Sequence, residues 1–438
     1  MERPFPMPVN PTIREKVEST PLVDTHEHLI EESVRLAGPK PGSRFPCDDF
    51  SILFYHYSNA DLISAGMTGE ENSRFFSTDA EVGEKWRIFA PYFERCRNTG
   101  YFQAVLHTIR DLYGEEEVNA ASVGRITEKL RGMTRKGFYE EILRRRSNVP
   151  SCQVNSLEGP LFMETEYPTL LYQDLSFVAM STGLDVKKLS DETQLPAETL
   201  DQWYAIIDWY FDRYGARAVA VKNQSAYSRR LNYDRVSKED ASPLFARHAK
   251  GERLSEAEMK AVQDHLFRHC VQKATDYGLP VKLHTGFYAG ANSMPLERLR
   301  QNAGDLCPLL RDFPKTKFAL MHIGYPYQDE FIALGKGYTN AYIDLCWAWI
   351  ISPVASVRFL KEFLTTAPAS KVFTFGGDYV TVETVYGHSK IARMGIARAL
   401  TELVDEGWMT EREALTTAER IMRGNAYEVF DRLKRRET

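Results

Sequence analysis

The stretch PLVDTHEH, residues 21–28, is an apolar, β-prone run that ends in two histidines two positions apart. Side chains alternate along a strand, so His26 and His28 project to one face and can reach one ion, while Glu27 points the other way. A His-x-His pair alone is equally well explained by ordinary hydrogen bonding. Other apolar runs, however, end in the same kind of residue: LPVKLHT (279–285) carries His284, KFALMHI (317–323) carries His322, and KVFTFGGD (371–378) ends on Asp378. In a (β/α)8 barrel the C-terminal ends of the strands converge, and a chain with only ten histidines places four of them at such ends.

Working outward, four more short β-rich runs complete a set of eight: CQVNSL (152–157), TLLYQDL (169–175), RAVAVKN (217–223) and AYIDLCW (341–347). Amphipathic stretches alternate with them, the pattern of βα units around a parallel sheet. Ser255 and Glu258 have capping-box spacing ahead of Met259, Val262, Leu266 and Ala274, with Gly278 and Pro280 as the stop. Leu200, Trp203, Ile207 and Tyr210 share a second helical face that ends at Gly215. Residues from Val385 onward read as helices on the outside of the barrel. The fold class expected is α/β, a (β/α)8 TIM barrel, with residues 1–44 as the barrel start, 45–148 as a helical insertion subdomain after the first strand, and 149–438 as the remainder. Residues 225–253 read as a second, irregular insertion, so both insertions border the strand ends where barrel sites lie.

Composition narrows the class of function. The 438 residues include 60 acidic and 55 basic side chains, giving a formal charge of −5 with no basic stripe, which argues against nucleic acid as a partner. The six cysteines, Cys47, Cys96, Cys152, Cys270, Cys307 and Cys346, lie far apart with no CxxC pair, so reduced thiols are expected. The start MERPFPMPVNPTIREKV has no apolar leader run, and no stretch of eighteen uncharged apolar residues follows. A soluble cytoplasmic protein acting on a small-molecule substrate, without membrane contact, is the expectation; a homo-oligomer is left open.

The ligand types suit zinc, manganese or iron, in one or two ions, with zinc expected. Lys222 ends RAVAVK, where burial is costly unless the amine is neutralised, paired or modified. Carboxylation would convert it into an anionic ligand bridging two metals, and an ordinary ion pair is the plainer alternative. Tyr227, Arg229 and Arg230 lie just beyond it, and an arginine fork there would suit a carboxylate or phosphate. Tyr288, Tyr325 and Trp347 follow the fifth, sixth and seventh strands and are candidate walls of a pocket. Arg44, His56, His107 and Arg110 could descend over the site from the insertion. His265 and His269 lack the glutamate of a His-Glu-x-x-His motif and read as packing residues, His388 is undistinguished, and Glu383 could brace the loop after the eighth strand.

VDTHEH, Lys222, His284, His322 and Asp378, following the first, fourth, fifth, sixth and eighth strands, resemble the amidohydrolase superfamily of (β/α)8-barrel metalloenzymes. RNTGYFQAVLHTIRDLYG (97–114) and AYSRRL (226–231) look like the uronate isomerase and amidohydrolase 2 branch. The resemblance implies that His26, His28 and Asp378 hold the more buried metal, that Lys222 bridges, and that His284 and His322 hold a second ion. In single-metal relatives the histidine after strand six serves the substrate instead, which would make His322 catalytic.

From the chemistry of such an ion follows a hydrolase, in which metal-activated water attacks an amide, lactone or related C–N or C–O bond of a small, polar, anionic substrate. Asp378 would act as general base and acid. The alternatives are an aldose–ketose isomerase of the uronate isomerase kind, a metal-dependent decarboxylase, or a barrel that has lost catalysis and only binds.

Overall fold

The computed structural model describes residues 9–157 and 159–433. Residues 1–8, on which part of the leader-run reading falls, lie outside the described residues. Among the described residues nine strand segments run parallel: β1 (Asp24–Glu27), β2 (Cys152–Val154), β3 (Leu171–Gln173), β4 (Leu175–Ser176), β5 (Val221–Asn223), β6 (Val281–His284), β7 (Phe318–Met321), β8 (Ala341–Asp344) and β9 (Val372–Phe373). Two ladders, β1-β2-β3 and β4-β5-β6-β7-β8-β9, make up the sheet.

The ladders join into one (β/α)8 barrel. Val219 N–H donates to Gln173 O at 3.0 Å and Leu175 N–H to Ala220 O at 3.0 Å, so β3 and β4 are one barrel strand broken at Asp174. At the other seam Thr25 N–H donates to Phe375 O at 3.0 Å and Asp378 N–H to His26 O at 2.9 Å. The break that the run TLLYQDL does not announce has a polar cause. The Asp174 carboxylate turns onto the buried ammonium of Lys282 at 2.8 Å, which also donates to Thr25 O at 2.7 Å.

Regular strand is shorter than the apolar runs that predict it. KVFTFGGD contributes only Val372 and Phe373, because the chain leaves the ladder as Phe375 and Asp378 bond to the first strand. The helices follow their start signals. Glu256–Asp276 begins at a capping box of Ser255 and Glu258, and Leu200–Tyr214 at one of Thr199 and Gln202. Residues 225–253 are more regular than expected. Ser237 caps a helix, Lys238–Ala249, whose internal Pro243 masks it from a reading by composition. Between β1 and β2 the chain is helical, including Val82–Cys96, Gly100–Tyr113 and Val123–Met133.

One apolar cluster runs from the barrel's outer face into the helices between β1 and β2, joining Phe54, Phe89 and Phe102 to Trp347 and Trp349. Gly100 and Gly387 mark close approaches there. A Cβ at Gly100 would lie 2.3 Å from Ile350 O, and one at Gly387 1.8 Å from Ala104 O. Ile350 follows β8, and Gly387 sits in the long helix Glu383–Asp405, so these contacts fix the helices over the strand ends. Among the described residues no helix is long and apolar enough to cross a membrane.

Candidate metal centre

β1 delivers His26 and His28 to the same side, with Nε2 atoms 3.3 Å apart. Asp378 reaches them from beyond β9, its Oδ1 standing 3.2 Å from His26 Nε2 and 3.3 Å from His28 Nε2. Ligand distances of about 2.0–2.1 Å around a tetrahedral ion correspond to ligand–ligand edges of roughly 3.3 Å. The three atoms therefore form one face of such a shell. Asp378 Oδ1 is buried with no hydrogen-bond partner, as expected of an oxygen that serves a cation.

Ring orientation supports the same fit. A carbonyl oxygen only accepts, so each ring nitrogen that faces one must carry the proton. His28 Nδ1 donates to Asn155 O at 2.6 Å, His284 Nε2 to Phe287 O at 2.7 Å, and His322 Nδ1 to Cys346 O at 2.9 Å. The opposite nitrogen of each ring is left bare, and His284 Nδ1 and His322 Nε2 face one another at 2.9 Å. Two lone pairs at that separation repel unless a cation or a proton lies with them, and such outer hydrogen bonds are how proteins fix metal-binding histidines. The donor set thus fits one or two divalent ions, with His26, His28 and Asp378 as the first group. A second compact group is His322, Cys346 and Asp378. Cys346, a buried thiol at the end of AYIDLCW, was not expected from the sequence to stand here.

Lys222, carried by β5, stands beside the first group, with Nζ 3.2 Å from His26 Nε2. Burial pushes its amine below the ordinary lysine value. Burial, then the Lys222 charge, holds His26, His28 and His284 low, the last at about 3. His322 is lowered by burial and then by His284. Asp378 is pushed up to about 7 by burial, against the opposing pull of Lys222 and a hydrogen bond from Tyr57.

The loop bearing Asp378 is built around Glu27, the residue between the two histidines. Glu27 accepts from Tyr379 N–H at 2.6 Å, and a Cβ at Gly377 would meet Glu27 Oε1 at 1.9 Å, so only glycine fits. Burial, then the neighbouring Asp24, raises Glu27 well above the usual carboxylate range. His388 Nδ1 approaches Gly377 O at 3.2 Å from behind, and Glu383 forms a buried fork with Arg35 at 2.5 and 2.8 Å. His322, Trp347 and Asp378 all have left-handed backbones, with φ of 66°, 63° and 63°. Such conformations in non-glycine residues gather where surrounding packing holds a working site in place.

A cavity of about 400 Å³ opens onto this centre, lined by His28, His284 and Asp378 below and by Arg44, His56 and Tyr227 above. Tyr227 packs 4.6 Å from the His284 ring, and Tyr288 stacks 5.6 Å from it on the buried side. Trp347 lies edge-on to His322 at 5.3 Å and stacks on Tyr57 at 4.4 Å. Tyr325 packs on Phe287 at 5.8 Å, and none of the three expected wall residues, Tyr288, Tyr325 and Trp347, lines the cavity.

The arginines beyond Lys222 are a correction. Arg229 is clamped to the buried Asp264 and Arg230 forks onto Asp305 at 2.6 and 3.0 Å, so neither lines the cavity. Their guanidinium groups turn to acids on the helices Glu256–Asp276 and Asn302–Asp312, with which they make charge-assisted pairs. His107 and Arg110 bond to each other at 2.6 Å, also off the cavity, and His265 takes its bond from Tyr204. Several cavity residues are not singled out by the sequence reading, Tyr57 and Gln224 among them. Tyr57 donates to Asp378 Oδ2, and Gln224 follows Lys222 by two positions. The repeated aromatics of FYHYS (54–58) were the available hint for Tyr57.

A parallel barrel with nitrogen and carboxylate donors converging at its strand ends is a (β/α)8 protein with a candidate metal site. The amidohydrolase family model matches residues 161–432, more than half of the chain, and the chain belongs to that family. In overall fold it is similar to the uronate isomerase of Thermotoga maritima, with a TM-score of 0.77 at 15% identity over 96% of each chain. The glucuronate isomerase of Caulobacter crescentus superposes with a TM-score of 0.76 at 15% identity, over 98% of this chain and 97% of that one. Among curated proteins, protein fluG of Emericella nidulans is 27% identical over 180 residues, 40% of this chain. The match takes in 20% of the length of that relative.

Proposed function

We propose that this amidohydrolase is a metal-dependent hydrolase that cleaves an amide, lactone or related C–N or C–O bond in a small, polar, anionic substrate. The observation that carries the reading is Lys222, buried, with its Nζ 3.2 Å from His26 Nε2, a member of the first group of candidate metal donors. Burial keeps a fraction of its amine neutral, and a neutral amine can add to carbon dioxide. The nitrogen lone pair forms the N–C bond, one C=O pair moves onto oxygen, and the nitrogen releases a proton to water, leaving a carbamate anion. That anion would join His26, His28 and Asp378 on one side and His284 and His322 on the other.

A divalent ion bound there supplies Lewis acidity, making water more acidic and polarising a carbonyl. The chain's own groups do the rest. Asp378 takes the proton of the attacking water and hands it to the leaving nitrogen or oxygen. Tyr57, held on Asp378 Oδ2 at 2.5 Å, fixes the carboxylate plane so that Oδ1 faces the histidines. Tyr57 and Tyr227 line the cavity, with Trp347 stacked on Tyr57 and Tyr288 packed on Tyr227 to hold the two rings in place.

A second reading is an aldose–ketose isomerase using a single ion, with His322 acting on substrate. What favours it is the whole-length likeness to two uronate isomerases. One experiment separates the readings: elemental analysis per chain, together with 13C NMR after growth or incubation with labelled bicarbonate, beside a panel of amides, lactones and uronates. Two ions, a labelled carbamate that Lys222→Ala abolishes, and turnover of amides or lactones support the hydrolase. One ion, no label and turnover of uronates alone would replace it with the isomerase.

A further inference from the structure

The cavity above the metal centre has one feature that the hydrolytic chemistry does not use. Arg44 is the only Lys or Arg among the described residues that line it. Other arginines that the sequence or the fold brings into question are off the cavity and paired: Arg35 with Glu383, Arg110 with Asp111, Arg229 with Asp264 and Arg230 with Asp305. Arg44 is half-buried and makes no ion pair or hydrogen bond among the described residues. A guanidinium that faces a cavity without an acidic partner is free to pair with an anionic ligand there.

His56 lines the same cavity and also has an unsatisfied polar atom. Its Nδ1 is buried without a partner, its backbone is held at a φ of 72°, and its ring stacks on Tyr57 at 4.1 Å. The Arg44 charge acts on both His56 and His28, so the guanidinium is close enough to feel the cavity's upper wall and its floor. Burial holds His56 neutral, at about 3, which lets its ring offer one N–H without adding charge.

We infer that Arg44, with His56 beside it, seats a carboxylate on the substrate at the end remote from the bond that is cleaved. A planar fork of donors matches two carboxylate oxygens, and a single cation balances a single negative charge. A phosphate, with nearly two charges, would be left half-compensated in this cavity. This assignment rests on the hydrolase reading for which end of the substrate faces the metal, and it makes that substrate a compound with at least one free carboxylate several bonds from the scissile group.

The test is calorimetric and needs no turnover. Malonate, succinate, glutarate and adipate, and the monoamide of each, are titrated into the zinc-loaded protein, since one carboxylate can occupy the metal and the other Arg44. The expected result is that at least one diacid binds tenfold or more tightly than its own monoamide. Arg44→Leu should abolish that preference and Arg44→Lys should retain part of it, with zinc content per chain unchanged in both. Equal binding of every diacid and its monoamide by the unaltered protein overturns the assignment, as does an undiminished preference in Arg44→Leu. Tighter, Arg44-dependent binding of 3-phosphonopropionate than of succinate overturns the carboxylate in favour of a phosphate. If the purified protein takes up no divalent ion, the hydrolase reading fails by itself. A monoamide and its neutral diamide, titrated into that metal-free protein and into Arg44→Leu, then still decide Arg44: an Arg44-dependent preference for the monoamide supports the assignment and equal binding overturns it.

Discussion

Tyr57 donates its hydroxyl proton to Asp378 Oδ2 at 2.5 Å and stands equally close, at 2.6 Å, to the main-chain oxygen of the same residue. A side chain from the helical segment after β1 thus governs the carboxylate delivered by the loop after β9. Tyr57→Phe keeps the ring and its stack on Trp347 while removing only the hydroxyl. A hydrogen bond to a charged group contributes about 1.5–3 kcal/mol, so kcat is expected to fall roughly 10- to 100-fold. Metal content and Tm should change little. Loss of metal in Tyr57→Phe would show instead that the hydroxyl holds the shell together.

His26→Ala and His28→Ala each remove one corner of the donor triangle. Elemental analysis of the purified variants should show loss of most of the bound metal, whereas Asp378→Asn, which keeps an oxygen donor, should retain part of it and lose turnover. Unchanged metal in both histidine variants would sink the assignment of this centre.

Asp174 and Lys282 form a fully buried pair inside the barrel. Asp174→Ala leaves an ammonium with Thr25 O but no counter-charge, and breaking such a pair costs about 3–5 kcal/mol. Denaturant unfolding should register that loss, and the double change Asp174→Leu with Lys282→Met should recover most of it.

His388 is fully buried, and burial lowers it from 6.5 to about 3. Between these values the unfolded chain binds a proton and the native chain does not, so its contribution is complete above pH 6.5 and shrinks as pH falls toward 3. Measured against His388→Asn, the stability of the unaltered protein should decline by about 2 kcal/mol between pH 7 and pH 5. Parallel pH profiles for the two proteins would count against a neutral, buried His388.

Gly377→Ala would force a Cβ onto Glu27 Oε1. Since Glu27 also receives Tyr379 N–H, the displaced loop should carry Asp378 away from the histidines. The expected outcome is weakened metal binding in equilibrium competition with a chelator, with far-UV circular dichroism retained. Retained metal affinity in a folded variant would mean that the loop can absorb the methyl group.

The barrel and its donors were legible because both depend on local pattern. Apolar runs that end in His26, His284, His322 or Asp378 can be recognised by eye, and parallel strands bring their ends together whatever lies between them. What was not legible depends on distant partners. Arg229 and Arg230 look like anion binders in AYSRRL, yet Asp264 and Asp305, far along the chain, claim them. Tyr57 reads as one more aromatic in FYHYS, and only the packing of that segment against Trp347 brings its hydroxyl to Asp378. The break at Asp174 depends likewise on Lys282, which the run TLLYQDL gives no reason to expect.

The rings of His28, His284 and His322 are aimed by main-chain oxygens, those of Asn155, Phe287 and Cys346. Every residue type offers the same oxygen, so the identity of the side chain at these three positions is free to drift without turning a ligand. Phe287 sits in the segment after β6, beside cavity residues Ala289 and Gly290. That segment can therefore be rewritten to suit new substrates while the metal-facing nitrogens keep their aim, which separates the inheritance of the chemistry from the evolution of its specificity.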